Sequence, residues 1–496
     1  MPKPEPNRVR PICHSLFAVL FSAWIVFGGG APAAEAATRP LNTGVSYVYA
    51  NETAAFEHVK AAGAKLVLTP LTWEHIAPED RPAAWQPANP ADPHYDWTEH
   101  DLWVTNAVQA GLTPVLQVRS APKWAQRCGF IGLDSPCDPD PAALAEFTTA
   151  AVTRYSGQFS GLPRVRYWQG LNEPNLSLFF NPQFDTSGKP VSAELYRVLI
   201  NTFYAAVKAV DPSNLVIAAG LGPIAVPKFS IGPMQFAREL LCMRGKERFR
   251  PVAGDCGGGV RFDIFDVHPY TTGGPTHRSA VNDVQLSGLS KLKRLLAAAD
   301  KAGRIKGAFP QTPLWVTEFS WDSNPPDPGG LRARVLTRWT SEALFEAWKA
   351  GISEFFWFTL RDFPADPSAP FSETLQAGLY YRAPNVVEDQ PKEVFYAFRF
   401  PFVAYPGKGG LSFWGRTPNS KAGKVTIQVR AKGGGWRRVL TTQADGAGIF
   451  RGKAPIQYGS NRSGAVRAHF RKGASLPFSM RPIPDFPQPP FGRPTG

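Results

Sequence analysis

Tyr167-Trp168-Gln169-Gly170-Leu171-Asn172-Glu173-Pro174-Asn175 is the stretch from which the rest of the chain is read. A short apolar run, 165–171, stops abruptly at Asn-Glu-Pro. Pro174 has no N–H for a sheet ladder and biases Glu173 towards extended backbone. This predicts a carboxylate held at the mouth of a strand rather than inside a helix. The setting recurs 145 residues later, where Pro313-Leu314-Trp315-Val316-Thr317 runs into Glu318. Two carboxylates, each just past the end of an apolar strand, suit a reaction that needs a paired acid and nucleophile.

Working outward, apolar strand patterns fall at 44–49, 65–71, 113–118, 165–171, 215–220, 262–268, 313–317 and 353–360. Helical periodicity lies between them, at 52–62, 142–155, 193–210, 285–302 and 331–350. Eight strands alternating with helices predict a parallel sheet closed as a (β/α)8 barrel. Barrel chemistry occurs at the C-terminal strand ends, and Asn172, Glu173, His268, Tyr270 and Glu318 all fall there. Beyond 402 the pattern becomes short alternating strands, as in Val425, Ile427 and Val429, separated by clusters such as Asp445-Gly446-Ala447-Gly448. This predicts a small C-terminal antiparallel β-sandwich. The expected organisation is a signal segment at 1–36, a catalytic barrel at 37–402, a β-sandwich module at 403–480 and a Pro-rich tail at 481–496.

The N-terminus reads as an export signal. Arg8 and Arg10 precede an apolar stretch, 12–27, and Ala34-Glu35-Ala36 matches a small-residue cleavage site. No later segment is apolar enough to span a bilayer, so a secreted or cell-surface protein without a stable span is expected. Beyond Cys13, the four cysteines form two close pairs, Cys128 with Cys137 and Cys242 with Cys256, which predicts two loop-closing disulfides.

Charge is unevenly placed. Residues 399–496 hold 17 Lys or Arg against two acids, Asp445 and Asp485, while the whole chain is only +14. A nearly neutral body therefore carries a strongly basic module, suited to an acidic polysaccharide, an anionic cell wall or an anionic membrane surface. Export and the lack of a nucleic-acid-binding motif argue against nucleic acid. The eight His are scattered with no H-E-x-x-H, and no dinucleotide or phosphate loop is present, so no metal and no cofactor is expected. The 12% aromatic content, with 14 Trp and 34 Phe, is a surplus that suits a sugar-stacking cleft.

These motifs resemble those of the clan A glycoside hydrolases, retaining enzymes on (β/α)8 barrels, and most of all the family 39-like members. The likeness covers roughly 41–400. It rests on Leu171-Asn172-Glu173-Pro174 after strand four, His268-Pro269-Tyr270 after strand six and Trp315-Val316-Thr317-Glu318 at strand seven. Trp357-Phe358-Thr359-Leu360-Arg361-Asp362 at strand eight and Ala121-Pro122-Lys123-Trp124-Ala125 after strand three add to it. The resemblance implies Glu173 as general acid/base and Glu318 as nucleophile, with the charge of Glu318 favouring a protonated Glu173 until the glycosyl-enzyme forms. It implies that Asn172 binds the sugar 2-hydroxyl, that His268 and Tyr270 orient the nucleophile, and that Trp357 forms a stacking floor. Trp124, with Trp73 and Trp321, is a further cleft candidate. Many clan members carry an Arg at the end of strand two; 68–73 supplies none, and Arg119, at the end of strand three, is a candidate to compensate. A barrel that binds carbohydrate without cleaving it is the alternative reading.

Overall fold

The computed structural model describes residues 39–48, 52–128, 136–254, 256–366, 374–407, 409–431, 433–456 and 464–486. The expected signal segment and the end of the Pro-rich tail lie outside them. Eight parallel strands form one sheet in chain order: β1 (Asn42–Ser46), β2 (Leu66–Thr72), β3 (Thr113–Arg119), β4 (Tyr167–Gly170), β5 (Leu215–Leu221), β6 (Ile264–Val267), β7 (Leu314–Trp315) and β8 (Glu354–Phe358). The β1–β8 pairing and a parallel bridge between Val316 and Phe355 close the ring. All eight strands lie where the apolar runs predicted them.

Alternation assigns the two faces of each strand. Leu66, Leu68, Val115, Ile217, Ile264, Trp315 and Phe356 fill the barrel, while Val67, Leu116, Trp168, Val216, Phe265, Phe355 and Trp357 pack outward into the helix layer. The filling is tight between β1 and β8. A Cβ at Gly44 would come within 2.4 Å of the Phe356 ring, so glycine there is what admits the aromatic.

The outer layer contains α1 (Thr53–Ala61), α2 (Thr98–Gln109), α3 (Pro141–Arg154), α4 (Ser192–Val210), α5 (Pro233–Leu240), α6 (Leu289–Lys301), α7 (Ala333–Ala350) and α8 (Glu393–Arg399). In α4 the buried Tyr196, Leu199, Ile200, Phe203 and Val207 recur at helical spacing, so one stripe faces the barrel. Asp140 starts α3 by accepting from Ala143 N, with Pro141 at the first helical position. Sequence reading missed α2, because only Trp103, Val104 and Ala107 of its twelve residues are buried while Leu102 and Val108 are exposed, which blurs the apolar stripe.

Two antiparallel sheets follow. One has the order β9 (Phe402–Gly407), β10 (Gly410–Arg416), β13 (Ile449–Ala454). The other is built on β12 (Arg437–Ala444), β11 (Gly423–Arg430) and β14 (Ala465–Phe470). They are welded to the barrel. Trp348 and Phe345 of α7 pack on Trp414 of β10, with ring centroids 5.7 and 5.4 Å away. Arg416 is fully buried and faces no carboxylate among the described residues. It donates to Thr43 Oγ1 (3.1 Å), Phe398 O (3.3 Å) and Leu41 O (3.4 Å), and burial lowers its pKa from 12.5 to about 10. The tail also returns to the barrel: Asp485 accepts from Gly274 N at 2.7 Å, and Phe486 lies 4.7 Å from Trp339.

One guanidinium of the C-terminal sheets thus satisfies carbonyls of the barrel. Arg416→Leu should destabilise the whole chain by on the order of 3 kcal/mol and still give a single calorimetric transition. An earlier, separate transition of residues 402–480 would contradict this coupling.

Candidate active site

The ends of β1, β3, β4, β6 and β7 bring expected and unexpected polar groups to one mouth. After β4 the chain reverses sharply, and Glu173 sits at φ 40°, Leu171 at φ 59°. Glu173 is therefore left-handed, not extended as Pro174 alone predicted. The cause is the loop that follows. Asn175 is fully buried; its Oδ1 accepts from Gly222 N (2.9 Å), and its Nδ2 donates to Gly222 O (3.2 Å) and Ile231 O (3.0 Å). Leu176 N donates to Glu173 O at 2.9 Å. Strain of this kind persists only where surrounding contacts over-determine it, and Asn175 supplies them.

His268 stands between the two glutamates. Its Nδ1 lies 2.9 Å from Glu173 Oε1 and 3.6 Å from Glu318 Oε2. Inverting glycosidases leave about 6.5–9.5 Å between their carboxyls for a water. The two distances through one nitrogen reach only the lower end of that range, even laid in a straight line. On its other side, Nε2 is 3.0 Å from Thr317 Oγ1 and 3.4 Å from Asp266 Oδ2. Thr317 Oγ1 donates in turn to Asp266, whose Oδ1 accepts from Thr317 N at 3.0 Å. Gln169 Nε2 adds a 3.0 Å bond to Asp266 Oδ2.

This wiring sets the charges. Burial opposes protonation of His268, but Glu318, Asp266 and Glu173 outweigh it and hold its pKa well above 6.5. The imidazolium then donates on both sides. Burial pushes the Glu318 carboxyl up from 4.5 to about 7; the charge of Glu173 adds to this, while His268 and the Tyr47 and Tyr270 hydrogen bonds pull it down. Tyr270 donates to Glu318 Oε2 at 3.2 Å, and burial beside two glutamates keeps its phenol protonated. Glu318 Oε1 is buried without a hydrogen-bond partner among the described residues. Asn172 spends its Oδ1 on Gln117 Nε2 (3.0 Å), and Gln117 Oε1 accepts from Tyr47 at 2.9 Å.

The aromatic candidates divide differently. Trp357 is fully buried, faces the helix layer beside Phe398 and donates its Nε1 to Ala377 O at 2.7 Å. It offers no face to the mouth, because the strand period sends it outward; this corrects the expected stacking floor. Phe358, one residue on, points inward, with its ring 4.9 Å from Tyr47 and 6.5 Å from Tyr270. Trp73 and Trp321 are also fully buried core. Trp124 is half-buried, packs edge-on against Trp85 and Trp73, and donates to Pro78 O at 3.0 Å. Arg119 is the register partner of Thr72 at the end of β2, half-buried, 5.8 Å above the Phe179 ring. Both expected disulfides, Cys128–Cys137 and Cys242–Cys256, are formed.

Tyr47, Gln117, Gln169, Asp266 and Thr317 were missed. The last four continue the inward alternation of their strands (Val115 to Gln117, Tyr167 to Gln169, Ile264 to Asp266, Trp315 to Thr317), so polar residues at inward positions near a strand end were the available signal. Tyr47 breaks alternation with φ 56° and carried no such mark. Gly220 likewise shows its role only in three dimensions. At φ 57° its absent Cβ leaves room for the network; one built there would meet Gln169 Nε2 at 2.7 Å and Asp266 and His268 at 3.1 Å.

No family model and no curated protein matches this chain. Solved structures do. A family 39 glycoside hydrolase from the gut symbiont Bacteroides cellulosilyticus WH2 superposes with a TM-score of 0.53 at 18% identity, over 81% of this chain and 79% of its own. A glucosidase from Croceicoccus marinus gives 0.46 at 14% identity, over 83% and 92%. A family 30 subfamily 8 xylanase from Clostridium acetobutylicum gives 0.44 at 13% identity, over 84% and 93%. At these identities the likeness to the family 39 enzyme establishes a shared fold, a (β/α)8 barrel with β-sheets after it.

Because folding raises the Glu318 pKa, this carboxyl contributes stability below about 4.5, and that contribution is lost as pH rises through about 7. Glu318→Gln should therefore raise the melting temperature relative to wild type, and by more at about pH 8 than at about pH 5. A pH-independent offset would contradict a strained, buried carboxylate.

Proposed function

We propose that the protein is a secreted retaining glycoside hydrolase. It cleaves β-glycosidic bonds of a polysaccharide or oligosaccharide by double displacement, and its basic C-terminal module holds it on an acidic glycan. The observation that carries this reading is the single imidazole nitrogen that reaches both Glu173 and Glu318. The two contacts hold the carboxyl oxygens no farther apart than the lower end of the ~6.5–9.5 Å range of inverting enzymes, which favours direct attack on the anomeric carbon.

In the first step Glu318 attacks the anomeric carbon. Its Oε2 remains on Tyr270. Glu173 passes its proton to the departing glycosidic oxygen, and a covalent glycosyl-enzyme forms. In the second step Glu173 takes a proton from water, which attacks the same carbon and releases Glu318. Asn172, its carbonyl committed to Gln117, offers its amide to the sugar 2-hydroxyl. Phe358, in place of Trp357, lines the sugar side of the mouth. Export is supported by the signal-like N-terminus and by two disulfides, which persist in oxidising compartments.

The test is reducing-sugar release from neutral and acidic polysaccharides and aryl β-glycosides. Glu318→Gln should abolish turnover. Glu173→Gln should lose about 10²–10⁴-fold on poor leaving groups and far less on a dinitrophenyl glycoside. Gly220→Ala, which displaces His268, should cost on the order of a hundredfold in kcat/KM while the protein stays folded. Wild-type protein that binds glycans but hydrolyses none, with binding unchanged by Glu318→Gln, would instead assign a binding protein.

A further inference from the structure

The sheet built on β12, β11 and β14 has two unlike faces. Val425, Ile427, Val429, Val466 and Ala468 are buried on one side. The alternate residues of the same strands form the solvent face, and there the register places Arg467, Gln428 and Arg438 in one cross-strand row. Beside the row, two cations lie against the Trp436 indole. The Arg467 guanidinium is 4.2 Å from the ring centroid and that of Arg430 is 4.8 Å. Gln428 Oε1 accepts from Arg467 Nε at 2.7 Å and so fixes its plane. A guanidinium stacked on a ring keeps its N–H edges outward, and that fork matches a carboxylate.

No acid answers this charge. Among the described residues Lys424, Arg430, Arg438 and Arg467 form no ion pair. The two acids of the region are both committed elsewhere. Asp445 caps its own turn, accepting from Ala447 N and Ile449 N at 2.9 Å. Asp485 is bound to Gly274 and His277 of a barrel loop. Two like charges held within 5 Å of one indole, with orientation fixed and no counter-ion supplied, form a preorganised anion receptor. From this geometry we infer that the outer face of this sheet is a second glycan site, taking a polysaccharide that carries carboxylates along its chain. The Arg430, Trp436 and Arg467 ladder is its anchor, with Arg438 and Lys424 extending the contact along the polymer. The inference deepens the reading of the barrel as a glycan hydrolase by naming the charge class of its polymer and the surface that holds it.

The experiment measures affinity of the full chain, in a Glu318→Gln background so that polymer is not consumed, for polygalacturonate, neutral xylan and duplex DNA at about 50 and 200 mM salt. Polygalacturonate should bind and xylan should not. Arg430→Ala with Arg467→Ala should weaken polygalacturonate binding on the order of tenfold or more, the loss of two charge-assisted contacts. Lys421→Ala with Lys453→Ala removes the same charge away from the ladder and should change it much less; both double variants should melt like wild type. Equal weakening by the two pairs, or equal binding of DNA with the same dependence on the ladder, would overturn the site and leave only net charge. Sugar release by the wild type is read separately. Ladder-dependent binding without hydrolysis upholds this site while removing the hydrolase reading, and hydrolysis without ladder-dependent binding does the reverse.

Discussion

The His268 imidazole is fully buried against Glu173, Asp266 and Glu318, and the site depends on its carrying a positive charge. Three carboxylates without a cation between them would face desolvation costs of several kcal/mol each. With it, Glu173 is hydrogen-bonded to Nδ1, and Glu318 and Asp266 lie 3.6 and 3.4 Å from the same charged ring. The same cation fixes the geometry: one nitrogen facing two glutamates sets their separation, and the other nitrogen, through Thr317, is anchored to Asp266. The placing of both glutamates therefore depends on one side chain.

Everything around this contact serves to keep it. Gly220 leaves the space, Gln169 and Thr317 hold Asp266, and Asn175 holds the strained turn that aims Glu173. The elevated pKa of Glu318 is the residual cost, and it is spread over the barrel and the module fused to it. A fold joined by Arg416 and by the α7 aromatics can carry a destabilised pair at its mouth.

The barrel was legible because each buried strand writes a short apolar run between helical stretches, and eight such runs in order leave few topologies. The two glutamates, Asn172, His268 and Tyr270 were legible because they sit at strand ends. The outlying errors share one cause. Whether a residue near a strand end points into the barrel or out to the helices depends on register, which a strand boundary misplaced by one residue inverts. Trp357 was assigned to the mouth and Phe358 was not, although a period of two from Phe356 separates them. Tyr47, Glu173 and Gly220 depart from regular backbone at the site itself, and positive φ at Tyr47 and Glu173 leaves no trace in local propensity. The charge of the C-terminal region was visible in composition, but the ladder around Trp436 needs the pairing of β11 with β14, which composition does not contain.

The central claim is that Glu318 attacks sugar directly while Glu173 serves as acid and then base. Incubation with a 2-deoxy-2-fluoro-β-glycosyl fluoride of the sugar the protein releases, followed by peptide mass spectrometry, tests it most directly. The account predicts one stoichiometric fluorosugar adduct on the peptide carrying Glu318, formed with loss of activity. An adduct on Glu173, or turnover without any adduct and with an inverted anomer as product, would contradict it.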